Sequence, residues 1–421
     1  MEAKKNYKLT KKYKLTNETI KIDGITLYRI RAIKSFSNVN EGDLGGWIEK
    51  EDNLSQIGNA WVYDNAKVYG NACICNNAKV YNNVKVSDDA QVFGDAEIFG
   101  NVQISDNAVA FGESKIYGDA HIYGNAKVCG DAQVCGNTSV YGTALIYGNA
   151  KVCGDTKVYD NAEVCDNVYI YGSAEVYGNA KVYDNTIAYG KAQVYDDARV
   201  FGFALVCGSA EIYGNAWVFG NAEIYGNVHI FGHAYIFNNA KVCDNARVFG
   251  NAEVYDNAKI FGDAKVKGDA IVHGNAVIRG DAIICGKTDY IIFEFFCSNE
   301  RYFTWTRSNN MWSVGCFYGT GKELIEKVYR DSERLDREYE RVVRYVNSIL
   351  ADDNNLQIVI EIKNIIVKIL KTIFVFTGLV LIIAKIIEYK FNWMTKHIEK
   401  HNKKEIHEGF VEKPMLINES E

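Results

Sequence analysis

The chain is expected to fold as an all-β solenoid, and three features of the sequence predict it. From Gly58 to Cys285 the residues divide into 38 consecutive hexads with no insertion or deletion. The first hexad position is Gly, Asp or Asn throughout and the second is Asn or Asp in 31 hexads, the residue types that most readily take positive φ, so the backbone is expected to bend every six residues. The third position is Ala in 30 hexads, and the fifth is Val or Ile in all but two, where Ala110 and Ala188 stand. Third and fifth positions share one face of a two-residue period, so each hexad is a very short strand with small and branched side chains inside. A helix would smear the same residues around its axis and carry a poor helix former every six positions. One such strand buries nothing alone, so each coil has to hydrogen-bond to the next.

The run Val-Tyr-Gly-Asn-Ala-Lys-Val-Tyr resembles the hexapeptide repeat of left-handed parallel β-helices, in which three hexads make one triangular coil of 18 residues. It is most similar to the YdcK-type proteins of bacteria and phages. The segments Gly42-Asp43-Leu44-Gly45-Gly46-Trp47-Ile48-Glu49 and Trp312-Ser313-Val314-Gly315-Cys316-Phe317-Tyr318-Gly319 share that resemblance, which covers residues 7 to 350. The resemblance implies the left hand; the period alone does not, because parallel crossovers are ordinarily right-handed. With three faces the 38 hexads make about 12.7 coils, a rod roughly 60 Å long at a strand spacing of about 4.8 Å.

Before the repeat, residues 1–57 read as a cap. Alternation in Thr19-Ile20-Lys21-Ile22 and Thr26-Leu27-Tyr28-Arg29-Ile30 around Asp23-Gly24 predicts a β-hairpin, which would cover the open sheet edge of the first coil. Six lysines in the first 14 residues are followed by no apolar run, so no secretory leader is expected there.

Within the repeat, residues 18 apart lie one above another. The sixth position then forms a column of Tyr123, Tyr141, Tyr159, Tyr177, Tyr195, Tyr213, Phe231 and Phe249. Stacked rings of this kind stabilise neighbouring coils, and they are also the candidate interaction ladder for a glycan, a protein partner or a second copy of the chain. The outward fourth position is mixed and polar, as in Lys67, Lys85, Gln103, His121, Ser139, Lys157 and Glu175, and turns apolar at Ile271, Val277 and Ile283, where the following segment is expected to cover the last coil.

Of the 11 cysteines, Cys75, Cys129, Cys135, Cys153, Cys165, Cys207 and Cys243 occupy the sixth position, substituting for Tyr and Phe. An odd number with no CxxC pair suggests a reducing compartment. Cys135 and Cys153, one rung apart, leave a disulfide or a metal site open, and inert thiols are the expectation.

Residues 286–350 are expected to form a small α+β cap, with strands over Tyr290–Phe295, Arg301–Trp305 and Met311–Val314, then a capping box of Thr320 and Glu323 and a helix to Leu350. Gly319-Thr320-Gly321-Lys322 lacks the glycine spacing of a phosphate loop, and Glu323 stands where a magnesium-holding hydroxyl would be. Residues 351–355 read as a polar linker. Residues 356–387 are almost wholly apolar, and 365–387 are the candidate transmembrane segment, although the charge-free centre, Thr372 to Ala384, is shorter than the roughly 20 residues that span a bilayer. A coiled-coil stem with a seam at Val359, Ile362, Ile366, Ile369, Ile373, Phe376, Val380, Ile383 and Ile387 is the rival expectation. The tail 388–421 is charged and basic near the apolar run, suited to anionic headgroups on a cytoplasmic surface.

A net charge of −6 argues against a dedicated nucleic-acid binder. Hexapeptide acyltransferases place a catalytic His beside a loop that interrupts the repeat, whereas this repeat is uninterrupted. Its histidines, His121, His229, His233 and His273, are dispersed. No catalytic residue, cofactor, metal or small-molecule substrate is therefore expected. The sequence supports a non-enzymatic, membrane-tethered rod, spacer or assembly scaffold with its repeat in the cytoplasm. The alternatives are a binding module using the aromatic ladder and an acyltransferase, with a soluble cytoplasmic protein as the alternative location.

Overall fold

The structure, a computed structural model, describes residues 11–294, 302–331, 336–373 and 389–390. The chain divides into two compact units, residues 1–320 and 321–421.

The first unit is a parallel β-solenoid of about 13 turns. Strands of two to four residues recur every six residues from Trp61–Val62 to Ile283–Ile284. Each pairs in parallel with the strand 18 residues away, as Lys181 does with Arg199 and Val182 with Val200. Three sheets result, of 16, 13 and 12 strands. Sheet I contains Lys67–Val68 and ends at Ile283–Ile284; sheet II runs from Trp61–Val62 to Val277–Ile278; sheet III runs from Cys73–Ile74 to Ile271–Val272.

Positions three and five point inward as the period predicts. Ala180 and Val182 are wholly buried, and their equivalents form one continuous core along the solenoid. Where Thr replaces Ala, its hydroxyl donates to the carbonyl three residues back, as Thr186 does to Tyr183 and Thr156 to Cys153, so the buried oxygen is satisfied. Only the first hexad position takes positive φ: +70° at Gly124, 57° at Asp160 and 63° at Asp184. Asp is chosen there for a reason beyond tolerance. Asp160 Oδ2 accepts from the N–H of Gly178 and Asp184 Oδ2 from that of Gly202, one rung on. The N–H groups of positions two, four and six donate to the next coil, as from Asn179 to Asp196, Lys181 to Ala198 and Tyr183 to Val200.

That ladder leaves unpaired groups at each end, and both caps meet them. β1 (Tyr13–Ile22) and β2 (Ile25–Ala32) form the predicted hairpin, with Asp23 and Gly24 at φ 49° and 84° in its turn. β3 (Leu44–Ile48) then joins β2 antiparallel and Lys67–Val68 of the repeat in parallel, so the cap extends sheet I, while Tyr13, Ile30 and Val39 join the core and Tyr13 and Phe36 pack on Trp61. Two buried side chains supply donors that a preceding coil would have supplied. Lys12 Nζ donates to the carbonyls of Gly58 and Ala60, and Asn53 Nδ2 to those of Gly70 and Ala72. At the other end, side-chain oxygens take the last forward-pointing N–H groups. Val277 donates to Thr304 Oγ1, Ile283 to Ser308 Oγ, and Cys285 to Asp289 Oδ2. The following segment thus covers the last coil both with these hydrogen bonds and with Tyr290 and Ile292, which pack against the end of the core, while the Ile283 side chain stays exposed.

The C-terminal sheet has four antiparallel strands, Tyr290–Glu294, Tyr302–Thr306, Met311–Val314 and Phe317–Gly319, the last beyond the three expected. It belongs to the first unit, so the expected α+β domain over 286–350 is divided at residue 320.

The second unit contains α1 (Gly321–Asp331) and α2 (Asp336–Ile373), which contact each other and bury Leu324, Val328, Val342, Val343 and Val346. The expected linker at 351–355 is corrected: α2 runs through it without a break. Asp and Asn cost at most about 0.7 kcal/mol each in a helix interior, too little to end one with good helix formers on both sides. Among the described residues, no helix is long and apolar enough to cross a membrane. Of the candidate span 365–387, residues 374–387 lie outside the described residues, as do residues 391–421 of the tail. Ile358, Ile362 and Ile365, three and four apart on α2, are each about half exposed.

Candidate interaction faces

The outward positions four and six of each sheet, with the corners between the sheets, carry the side chains that the repeat presents to solvent. On sheet I the structure assembles the eight predicted ladder residues into one column. From Tyr123 to Phe249 successive ring centroids are 4.8–4.9 Å apart and tilted by no more than 6°. The spacing is that of the rungs, so each ring face is covered by the next ring, and edges and hydroxyls reach the solvent. A sugar that stacks on aromatic faces would find them occupied along the column.

Three of the hydroxyls engage position four one rung on. Tyr159 donates to Glu175 Oε2 at 3.4 Å, Tyr177 to Gln193 Oε1 at 3.3 Å and Tyr195 to Glu211 Oε2 at 3.2 Å. Burial first, and then the neighbouring carboxylates, push the Tyr159 and Tyr195 phenols above the ordinary tyrosine range. They remain protonated donors at neutral pH. Lys157 pairs with Glu175 at 2.9 Å and His229 Nδ1 lies 3.4 Å from Glu211.

The stacking is not particular to sheet I. Sheet III carries Tyr183, Phe201, Phe219, Phe237, Tyr255 and His273 in one column, and sheet II pairs Phe99 with Tyr117 and Tyr171 with Tyr189. These columns follow from the same 18-residue register.

Cys135 and Cys153, expected as inert thiols, are joined in a disulfide with their Cα atoms 4.6 Å apart. The correction has a simple cause: stacking in register places equivalent Cα atoms one strand spacing apart, within the range a disulfide spans. Burial pushes the thiols of Cys165 and Cys243 up to about 11, which leaves them weak nucleophiles.

Among the described residues, no three His, Cys, Asp or Glu side chains are grouped to hold a metal ion. His121 and His229 lie on the same column, six rungs or roughly 29 Å apart. A shallow groove of about 450 Å³ runs along one corner, lined by residues that include Asn221, Asn239, Asp256 and Asn257. Its amides bond to one another, Asn221 to Asn239 at 3.2 Å and Asn239 to Asn257 at 3.4 Å, which leaves few groups turned toward a ligand.

One surface was not singled out from the sequence. On sheet II the fourth position turns apolar for three consecutive rungs, at Tyr169, Ile187 and Leu205, beside Tyr171 and Tyr189. Phe203 replaces the usual Asn or Asp at the adjoining corner and is 66% exposed. The signal was available in the 18-residue register, since the polar outward position lapses for these three rungs in mid-solenoid.

A family profile described as the YdcK β-solenoid repeat matches residues 192–208. The "Uncharacterized acetyltransferase YdcK" of Escherichia coli (strain K12) is 40% identical over 62 residues, 13% of this chain and 19% of that protein. The chain thus carries a YdcK-type repeat, and the match takes in about a fifth of that relative.

Proposed function

We propose that the protein is a structural β-solenoid, a rod that displays rows of side chains at fixed spacing and serves as a spacer or assembly scaffold. The observation that carries this reading is the uninterrupted register. From Lys67 to Ile283 every sheet I strand stacks on its neighbour with no inserted loop, so the repeat forms flat faces rather than a recess in which to enclose a substrate. Both ends are closed by dedicated hydrogen-bond partners, which suits a free-standing rod.

The apolar segment 356–387 is the proposed attachment point to a membrane, with the repeat on the cytoplasmic side. The exposed Ile358, Ile362 and Ile365 support an apolar contact along α2. Fractionation of cells expressing the full chain, and a chain ending at Asn355, tests this. Recovery of the full chain with membranes and release of the shorter chain is expected. A full chain that stays in the soluble fraction as a discrete trimer, with a monomeric shorter form, would make the segment a coiled-coil stem.

The name of the YdcK relative supports a second reading, acyl transfer. Calorimetric titration with acetyl-CoA separates the two. The scaffold reading expects no saturable heat, and micromolar binding would favour the transferase.

A further inference from the structure

We propose that sheet II is a self-association face and that its occupant is a second copy of this chain, packed antiparallel about a two-fold axis at Ile187. The inference stands apart from the membrane attachment and from the enzyme question.

The apolar rungs form a contiguous patch. Tyr169, Tyr171, Ile187 and Phe203 are each at least 38% exposed, and Tyr189 and Leu205 complete the surface. At the equivalent position on the same coils, sheet I carries Glu175, Gln193 and Glu211, and sheet III carries Lys181, Arg199 and Trp217, whose ring lies under the Arg199 guanidinium, so on these coils an unbroken run of three apolar outward residues belongs to sheet II alone. A patch of this kind in mid-rod marks a contact surface.

Charge decides both the occupant and its direction. Two rungs before Ile187 stands Lys151, whose ammonium lies over the Tyr169 ring at 5.1 Å; two rungs after it stands Glu223. Rotation about an axis lying in the interface and parallel to the strands brings rung +n of one copy against rung −n of the other. Ile187 then meets Ile187 of the second copy, Tyr169 meets Leu205, and Lys151 meets Glu223 twice. In a parallel arrangement the same face would set Lys151 on Lys151 and Glu223 on Glu223, which like-charge repulsion disfavours. Glu223 is also bonded to Lys241 at 2.7 Å, and Lys241 would face Gln133, so each end of the patch closes on a polar group.

Four rungs out, Lys115 would face Lys259, which limits the contact to the seven rungs between Gln133 and Lys241. Seven rungs at about 4.8 Å by four residues at about 3.3 Å cover roughly 440 Å² per copy, a small interface by the standard of specific complexes. The association is therefore expected to be reversible.

Sedimentation velocity of the full chain in mild detergent, across a concentration series, should show a monomer–dimer equilibrium. I187E, which sets two carboxylates against each other on the axis, should weaken it at least tenfold. K151E and E223K should each weaken it, and the double variant K151E/E223K should restore it. General misfolding cannot produce that rescue. I187C should also give a covalent dimer on mild oxidation, whereas Q193C on sheet I should not. A full chain that is monomeric at high micromolar concentration overturns the proposal. So does an oligomer that I187E leaves unchanged, or a double variant no better than the singles.

Discussion

Lys12 places its Nζ 2.7 Å from the carbonyl oxygen of Ala60 and 3.2 Å from that of Gly58, at a position only 1% exposed. A buried ammonium stands in for the coil that the first turn lacks. Burial, and then the charge of Lys34, lowers its pKa to about 8 from the ordinary 10.5. Between those values the unfolded chain binds more protons than the folded one, so stability rises with pH across that window, and the cost of the buried charge is fully present below pH 8. Denaturation curves between pH 8 and 10 should show a gain of roughly 1–3 kcal/mol. Lys12→Met should abolish the slope, and at pH 10 should cost about 1–3 kcal/mol by leaving two carbonyls without a donor.

Above pH 10 the sign reverses. The Tyr159 and Tyr195 phenols have raised pKa values, so their contribution is fully present below the ordinary tyrosine pKa and is lost as pH rises through the folded values. Phenolate absorbance from the ladder is expected to appear together with unfolding. In Y159F/Y195F the alkaline midpoint should move to higher pH. Phenolate that forms fully while the far-ultraviolet spectrum stays native would refute the link.

Val182 and Lys181 are adjacent and face opposite ways. Val182 is wholly buried between coils, whereas Lys181 reaches outward to Glu163 at 3.0 Å. Val182→Asp buries an unpaired carboxylate and should cost several kcal/mol, while Lys181→Asp loses a half-exposed pair and should cost under about 1 kcal/mol. Thermal melts should separate the two clearly; equal losses would contradict the orientation.

Gly142 has φ +71°, and a Cβ there would stand 2.8 Å from both the backbone N and the carbonyl O of Asp160. Gly142→Ala should cost about 1–3 kcal/mol through the left-handed backbone and the close approach together. Gly286, with nothing near its missing Cβ, is the control, and Gly286→Ala should be close to neutral in the same melts.

The Cys135–Cys153 disulfide links positions 18 apart. Peptide mapping without reductant should recover the linked pair. Reduction, or C135S/C153S, should lower stability by up to about 3 kcal/mol, the chain-entropy value for a loop of this size. Recovery of both thiols free from unreduced protein would show that the bridge does not form.

Much of the architecture could be read from the residues alone. A hexad with small and branched side chains at positions three and five determines which side chain is inside at nearly every step. Equivalent residues 18 apart predict the columns, and Asp23-Gly24 marks the first hairpin. These follow from local periodicity, because each hexad repeats one backbone geometry and buries the same two positions.

What the tertiary structure decided are matters of contact across rungs and at ends. Nothing near Lys12 in the chain says that its ammonium will replace a missing coil, since Ala60 is 48 residues away. The ring faces of Tyr123 to Phe249 cover one another because the rung spacing leaves no room between them, a consequence of stacking distance that composition does not contain. Cys135 and Cys153 bond because register brings their Cα atoms to 4.6 Å. α2 continues through Asp352, where weak local signals suggested a break, because helix propensity differences are small beside the cooperativity of an established helix.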